Sequence, residues 1–146
     1  METKKLIQMG FIHFVIMFVL MYSMVYAFDH LYFNLNKVYM AAIMTAPMLI
    51  LEIIMMGQMH KNKKGLAIIA GLSIIALLMF FIFIRQQTFI YDKEFLRSMI
   101  PHHSSAILMC NEGKINDQEI KKLCEEIVKT QKEEINQMKN ILSRLD

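Results

Sequence analysis

Between Met99 and Cys110 the chain reads Met-Ile-Pro-His-His-Ser-Ser-Ala-Ile-Leu-Met-Cys, which places two adjacent histidines, two methionines and a cysteine within about three turns of helix. Imidazole, thioether and thiolate are the donor types that suit copper, Cu(I) above all. Met99 and His103 are four residues apart and meet on one helix surface. Cys110, seven beyond His103, falls on the same side. His102 lies about 100° further round. The two histidines therefore serve different sites, or one ligates while the other meets a second chain. The competing reading is packing, since methionine and alanine at helical spacing make core and a histidine among them can be satisfied by its neighbours. Gln131 and Glu134 favour the chemistry. They fall on the apolar seam of the following helix, where an unpaired polar group costs roughly 1–3 kcal/mol. An imidazole N–H donated to Glu134 would satisfy that carboxylate and orient a ligating ring.

The elements that must position these groups are two amphipathic helices. Phe95, Met99, His102, Ala106 and Met109 recur at spacings of four and three and draw one seam. Asn111-Glu112-Gly113-Lys114 reads as a stop and a turn, and Asn116 or Asp117 caps the next helix, with Glu119 in its first turn. That helix runs its seam through Ile120, Cys124, Ile127, Gln131, Glu134, Met138, Ile141 and Leu145, and turns Lys121, Glu125, Lys129 and Lys132 to solvent. Folding about Lys114 sets His102 and His103 near Ile127, Met99 near Gln131 and Ala106 near Cys124. An antiparallel hairpin of this size buries little, so two copies forming a four-helix bundle is the expected solution. Cys110 and Cys124 then lie about one turn out of register. A disulfide within the chain is borderline at that offset, and a bridge between chains, thiolate ligation or two inert buried thiols are equally open.

Before the hairpin, the chain is apolar on every face. Three runs, 6–28, 38–59 and 66–84, divide the chain into a membrane domain over 1–90 and a hairpin domain over 91–146. A cleavable leader is the other reading of the first run, whose length argues for a retained helix. Lys4 and Lys5 share a side with Lys61, Lys63 and Lys64, which puts the N-terminus in the cytoplasm and the hairpin outside. In a bacterial host that is the periplasmic face of the inner membrane. Met9, His13, Met17, Met21 and Met24 form a stripe on the first run. On the second, Met40, Met44, Met48, Glu52, Met55 and Met59 do the same, ending at His60. Such thioether stripes could hold Cu(I), or they could simply pack. Glu52 inside a span marks a functional position or a buried pairing by default, with His13 its most obvious partner type.

Met99-Ile100-Pro101-His102-His103, then Ala106-Ile107 and Met109, followed by Gln131, Glu134-Ile135 and Met138, resembles the domain of unknown function 305 family over residues 92–142. The membrane half, with Asp29-His30, Tyr39-Met40 and Ala46-Pro47-Met48, looks like a membrane-anchored branch. The resemblance implies a ferritin-like all-α fold and extracytoplasmic copper binding, with Met99, His102, His103, Met109 and Met138 as candidate ligands. Cys110 and Cys124 lie outside the motif.

A copper-binding membrane protein, neither an enzyme nor a nucleic-acid binder, is therefore expected, with lipid, metal ion and a second copy as partners. The net charge of +3 is small and its lysines are scattered, which leaves no nucleic-acid footprint. A di-iron redox bundle needs more seam carboxylates than this hairpin has, and no nucleophile triad or phosphate loop is present. The rival is an accessory membrane subunit whose hairpin docks on another protein without metal.

Overall fold

The computed structural model describes residues 2–56 and 62–145, so the expected end of the second span at Met59, with His60 and Lys61, lies outside the described residues. Among the described residues five α-helices follow one another: α1 Glu2–Leu20, α2 Leu35–Met56, α3 Lys63–Gln86, α4 Asp92–Glu112 and α5 Gln118–Leu145. A single 3-10 turn, Phe28–His30, interrupts the link from α1 to α2, and no strand occurs among the described residues. The all-α expectation holds. The helices sort into two compact units: Met1–Met21 with Asn36–Phe89, and Tyr22–Leu35 with Ile90–Asp146.

The first unit is the apolar one. Two of its helices, over Leu35–Met55 and Lys63–Gln86, are long and apolar enough to cross a membrane. The expected third span is corrected. The run read as 6–28 is helical only to Leu20, where residues 21–24 turn away. Its apolar part, from Leu6 to Leu20, covers about 22 Å at 1.5 Å per residue, short of a bilayer's roughly 30 Å. The break has a local cause: the Lys37 ammonium donates to the Met21 carbonyl at 3.1 Å, a cation on the carbonyl end of the helix. Antiparallel α1 and α2 approach closely at Gly10, where a Cβ would stand 3.0 Å from the Leu49 methyls. α3 starts on Asn62, whose side chain accepts the Gly65 N–H at 2.9 Å. It ends at Gln87, in the left-handed conformation (φ 50°).

The second unit is the hairpin plus the segment Tyr22–Leu35. Its core is Leu96, Ile100 and Ile107 of α4 against Ile135, Met138 and Leu142 of α5, with Tyr32, Met99, Val128 and Ile141 packed around it. The seam expected on α4 is thus displaced by one residue: Phe95 and Met109 are 51% and 55% exposed, whereas Ile100 and Ile107 are wholly buried. Gly113 closes α4 because a Cβ there would stand 2.6 Å from the Met109 carbonyl oxygen, the atom its own N–H bonds. Asp117 is the cap of α5, its Oδ1 accepting the N–H groups of Glu119 and Ile120 at 2.9 and 3.0 Å.

Candidate metal centre

The loop from Gly113 to Asp117 sets the register of the hairpin. α5 begins at Gln118, after the expected cap, but each α4 residue meets α5 about one turn or more beyond the level expected from a fold about Lys114. His103 therefore meets Glu134 rather than Ile127. Its Nε2 stands 2.8 Å from Glu134 Oε2, and its Nδ1 lies 2.9 Å from the Met99 carbonyl oxygen. A carbonyl only accepts, so Nδ1 carries a proton; Nε2 donates to the carboxylate only when it is protonated as well, and in the neutral ring its lone pair is the one left for a metal. The His103 side chain is 12% exposed and that of Glu134 51%. Gln131 donates to the same Glu134 oxygen at 3.4 Å. The His102 ring lies beside this group, its centroid 5.9 Å from that of His103 and its plane turned by 66°. His102 is exposed and Met99 half-buried.

The structure thus brings His102, His103, Gln131 and Glu134 together, with Met99 joined to them through its carbonyl while its side chain packs against the core. Met138 lies in the packed core with Ile135 and Leu142, and Met109, two turns beyond His102, is exposed on the outside of α4. Neither joins the group. Cys110 and Cys124 are corrected as ligands, because in the shifted register they face each other with Cα atoms 5.3 Å apart and form a disulfide. Among the described residues no cluster of three or more histidine, cysteine, aspartate and glutamate side chains could hold a metal ion.

In the apolar unit, no hydrogen bond or ion pair joins His13 and Glu52 among the described residues. The contact of Gly10 with Leu49 explains this, since it sets His13 opposite Ala46, about 9 Å of helix from the level of Glu52. Glu52 lies one turn from the end of α2, and Met44 is exposed where Met48 is half-buried. A cavity of about 430 Å³ between the three helices is lined by Phe14, Ala42, Leu49, Ile69, Ala76 and their neighbours, with no methionine among them. The methionine stripes do not line this cavity.

Sequence reasoning missed a second cluster, on the other side of α4. Ser104, wholly buried, accepts the Tyr26 N–H at 2.9 Å and lies 2.9 Å from His30 Nδ1. A hydroxyl has one proton to give, and His30 Nδ1 is the acceptor within its reach. His30 is therefore protonated at Nε2, which faces Asp29 Oδ2 at 3.7 Å. Burial and the nearby Lys139 ammonium push the His30 pKa below the ordinary imidazole value. The hydrogen bond from Lys139 holds the Asp29 carboxyl below the usual carboxylate range. The serine, histidine and aspartate resemble a nucleophile set in type only, for Ser104 has no exposed surface for a substrate to reach. Asn34 completes the cluster. Pro101 lacks the N–H that would bond the Arg97 carbonyl inside the helix, and Asn34 Nδ2 donates there at 3.4 Å. The proline of the Met-Ile-Pro-His-His stretch is the signal that could have pointed to an outside donor, though not to Asn34.

Residues 84–142, which hold the whole hairpin site, match the profile of the domain of unknown function DUF305. The chain is also 37% identical over 111 residues, 75% of its own length and 71% of its relative's, to an uncharacterized protein of Acanthamoeba polyphaga mimivirus. No solved structure matches it significantly. With the Met-Ile-Pro-His-His stretch on α4 and its partners on α5, the chain belongs to the domain of unknown function 305 family.

Proposed function

We propose that this is a membrane-anchored protein that binds Cu(I) through its hairpin on the extracytoplasmic side, to buffer the ion or hand it on. One observation carries the reading: the Met99 carbonyl holds the Nδ1 proton of His103, leaving Nε2 as the ligating nitrogen, and His102 is the next ring along. The donor types fit the ion. Two imidazoles with the Met99 thioether are soft to borderline ligands, and Glu134 with Gln131 would orient them from α5. Glu134 gives up His103 Nε2 when the metal enters, and its exposure leaves room to turn away. Binding weakens in acid, because both rings must be neutral to ligate.

The anchor is α2 and α3, and it places Lys63 and Lys64, at the start of α3, on the cytoplasmic side. Grouping of Tyr22–Leu35 with Ile90–Asp146 supports this, since both segments then share the opposite side. A second copy completes the four-helix bundle.

The accessory-subunit reading has one observation of its own, that both ring nitrogens of His103 already have protein partners. Anaerobic titration of the full-length protein in detergent with Cu(I), against the chelator bicinchoninate, separates the two. Copper binding predicts tight uptake that falls at least tenfold in the His102→Ala/His103→Ala variant. Equal uptake by both proteins would return the histidines to packing.

A further inference from the structure

The hairpin has two broad sides, and among the described residues its own unit covers one of them with the segment Tyr22–Leu35. On the covered side Pro101 and Ser104 of α4 are buried beneath Tyr26, His30 and Asn34. The opposite side carries Phe95, Met99, His102, Ala106 and Met109, a stripe about 100° round α4 from the core residues Leu96, Ile100 and Ile107. On α5 the matching residues are Ile120, Ile127, Gln131, Glu134, Ile141 and Leu145, away from Lys139, which turns to the covered side to pair with Asp29. The bond from His103 to Glu134 runs along this open side.

Both stripes are symmetric about their middle. On α4, Phe95 and Met109 stand seven residues before and after His102, and both are more than half exposed. Met99 and Ala106, a long side chain and a short one, flank His102 at three and four residues. On α5, Ile120 and Leu145 stand at equal distances from the middle of Gln131 and Glu134, and again both are exposed. Each stripe is thus polar at its centre and apolar at its ends. The two centres share one level, because His103 of one helix bonds Glu134 of the other.

A surface of that form is complementary to itself across a two-fold axis through its centre. Phe95 of one copy then packs on Met109 of the other, and Met99 on Ala106. At the centre the same axis sets Glu134 of each copy at the level of Gln131 of the other, a carboxylate against an amide that can donate to it. We infer that a second copy of this chain docks on the open side of the hairpin by a two-fold axis near His102, and that the copper site is shared between the two copies at that axis. The inference rests on the copper reading above for the identity of the ion, and on the open side alone for the partner. Sharing also answers an incompleteness within one chain, whose two imidazoles have no third histidine, cysteine or carboxylate converging to hold a metal with them among the described residues.

The experiment uses the full-length protein in detergent, with two differently tagged copies co-expressed and mixed dimers isolated by sequential affinity steps. One copy is unaltered and the other carries His102→Ala/His103→Ala. Cu(I) titration against bicinchoninate, with mass measured by light scattering, reads the result. A shared site predicts that the mixed dimer binds at least tenfold more weakly than the unaltered dimer, close to the doubly substituted homodimer. A mixed dimer that takes half the copper at unaltered affinity would overturn sharing, while leaving the copper reading and the dimer intact. Met109→Lys, on a side chain that is already exposed, tests the partner separately. It should halve the mass without loss of helix content by circular dichroism, and should lower copper affinity at least tenfold. A chain that is monomeric before substitution and binds copper tightly would overturn both the partner and the shared site. Full copper binding by the doubly substituted homodimer would instead sink the copper reading itself, and the shared site with it.

Discussion

The two sides of α4 use polar groups in opposite ways. On the side covered by Tyr22–Leu35, every donor and acceptor that the packing creates has a dedicated partner. Ser104 is bonded to Tyr26 and His30, the Arg97 carbonyl freed by Pro101 is bonded to Asn34, and Glu94 accepts the Leu35 N–H at 3.1 Å. On the open side the polar groups are arranged rather than enclosed: His102 is exposed, and His103 is held by one fixed bond and one exposed carboxylate. The contrast shows where binding is possible. A polar cluster that closes on itself stabilises a fold, whereas one that keeps an exposed partner can exchange it for a ligand.

The largest effect on stability belongs to neither side but to the bond that fixes the register of both. Cys110 and Cys124 close a loop over a sequence separation of 14, and removing such a link costs about 3 kcal/mol through the unfolded chain. Cys110→Ser/Cys124→Ser should lower the stability of the hairpin by that order in denaturant titration. If the loss is below about 1 kcal/mol, the packed core of Ile100, Ile107, Ile135 and Leu142 sets the register alone, and the two sides do not depend on the link.

A smaller effect separates the two sides directly. Ser104→Ala removes a wholly buried hydroxyl and leaves the Tyr26 N–H and His30 Nδ1 without their partner. The cost should be about 2 kcal/mol, against less than about 0.5 kcal/mol for His102→Ala on the exposed side. Thermal unfolding of the two variants in parallel gives the comparison. Equal losses would mean that the open side contributes as much to folding as the covered one, and would weaken its reading as a binding surface.

Much of this hairpin was legible in the sequence, and the misreadings have definite causes. Helix α4 carries two apolar stripes one residue apart, Phe95-Met99-Ala106-Met109 and Leu96-Ile100-Ile107. Periodicity finds both but cannot say which of them meets the rest of the same chain. The partnership of His103 with Glu134 was foreseeable because a carboxylate on an apolar seam demands a donor. Its level was not, because the ends of the two helices do not fix the point about which they fold, and a small error in that point moves an antiparallel register by a turn or more. Asn34 and His30 were out of reach for another reason. They lie 63 and 74 residues from their partners on α4, and nothing in a short irregular segment marks which helix it will cover. The first span was overestimated because apolar composition continues past Leu20, while the backbone stops where Lys37 bonds the Met21 carbonyl.

The smallest effect is a pH dependence that arises on the covered side. His30 is enclosed, its Nδ1 takes the Ser104 proton, and desolvation together with Lys139 lowers its pKa from the ordinary 6.5. In the unfolded chain the same ring returns to the ordinary value, so below about pH 6.5 the unfolded state binds more protons than the folded one. The stability that His30 contributes is complete above that pH and is lost as the pH falls toward the lower, folded value. Protonation also reverses the bond, since an imidazolium Nδ1 can only donate, and the Ser104 proton then loses that acceptor. Between pH 8 and pH 5 the denaturation midpoint of the hairpin should therefore fall, and His30→Gln should flatten that slope, because a glutamine amide does not titrate. A slope that survives His30→Gln would make the enclosed histidine a bystander to folding.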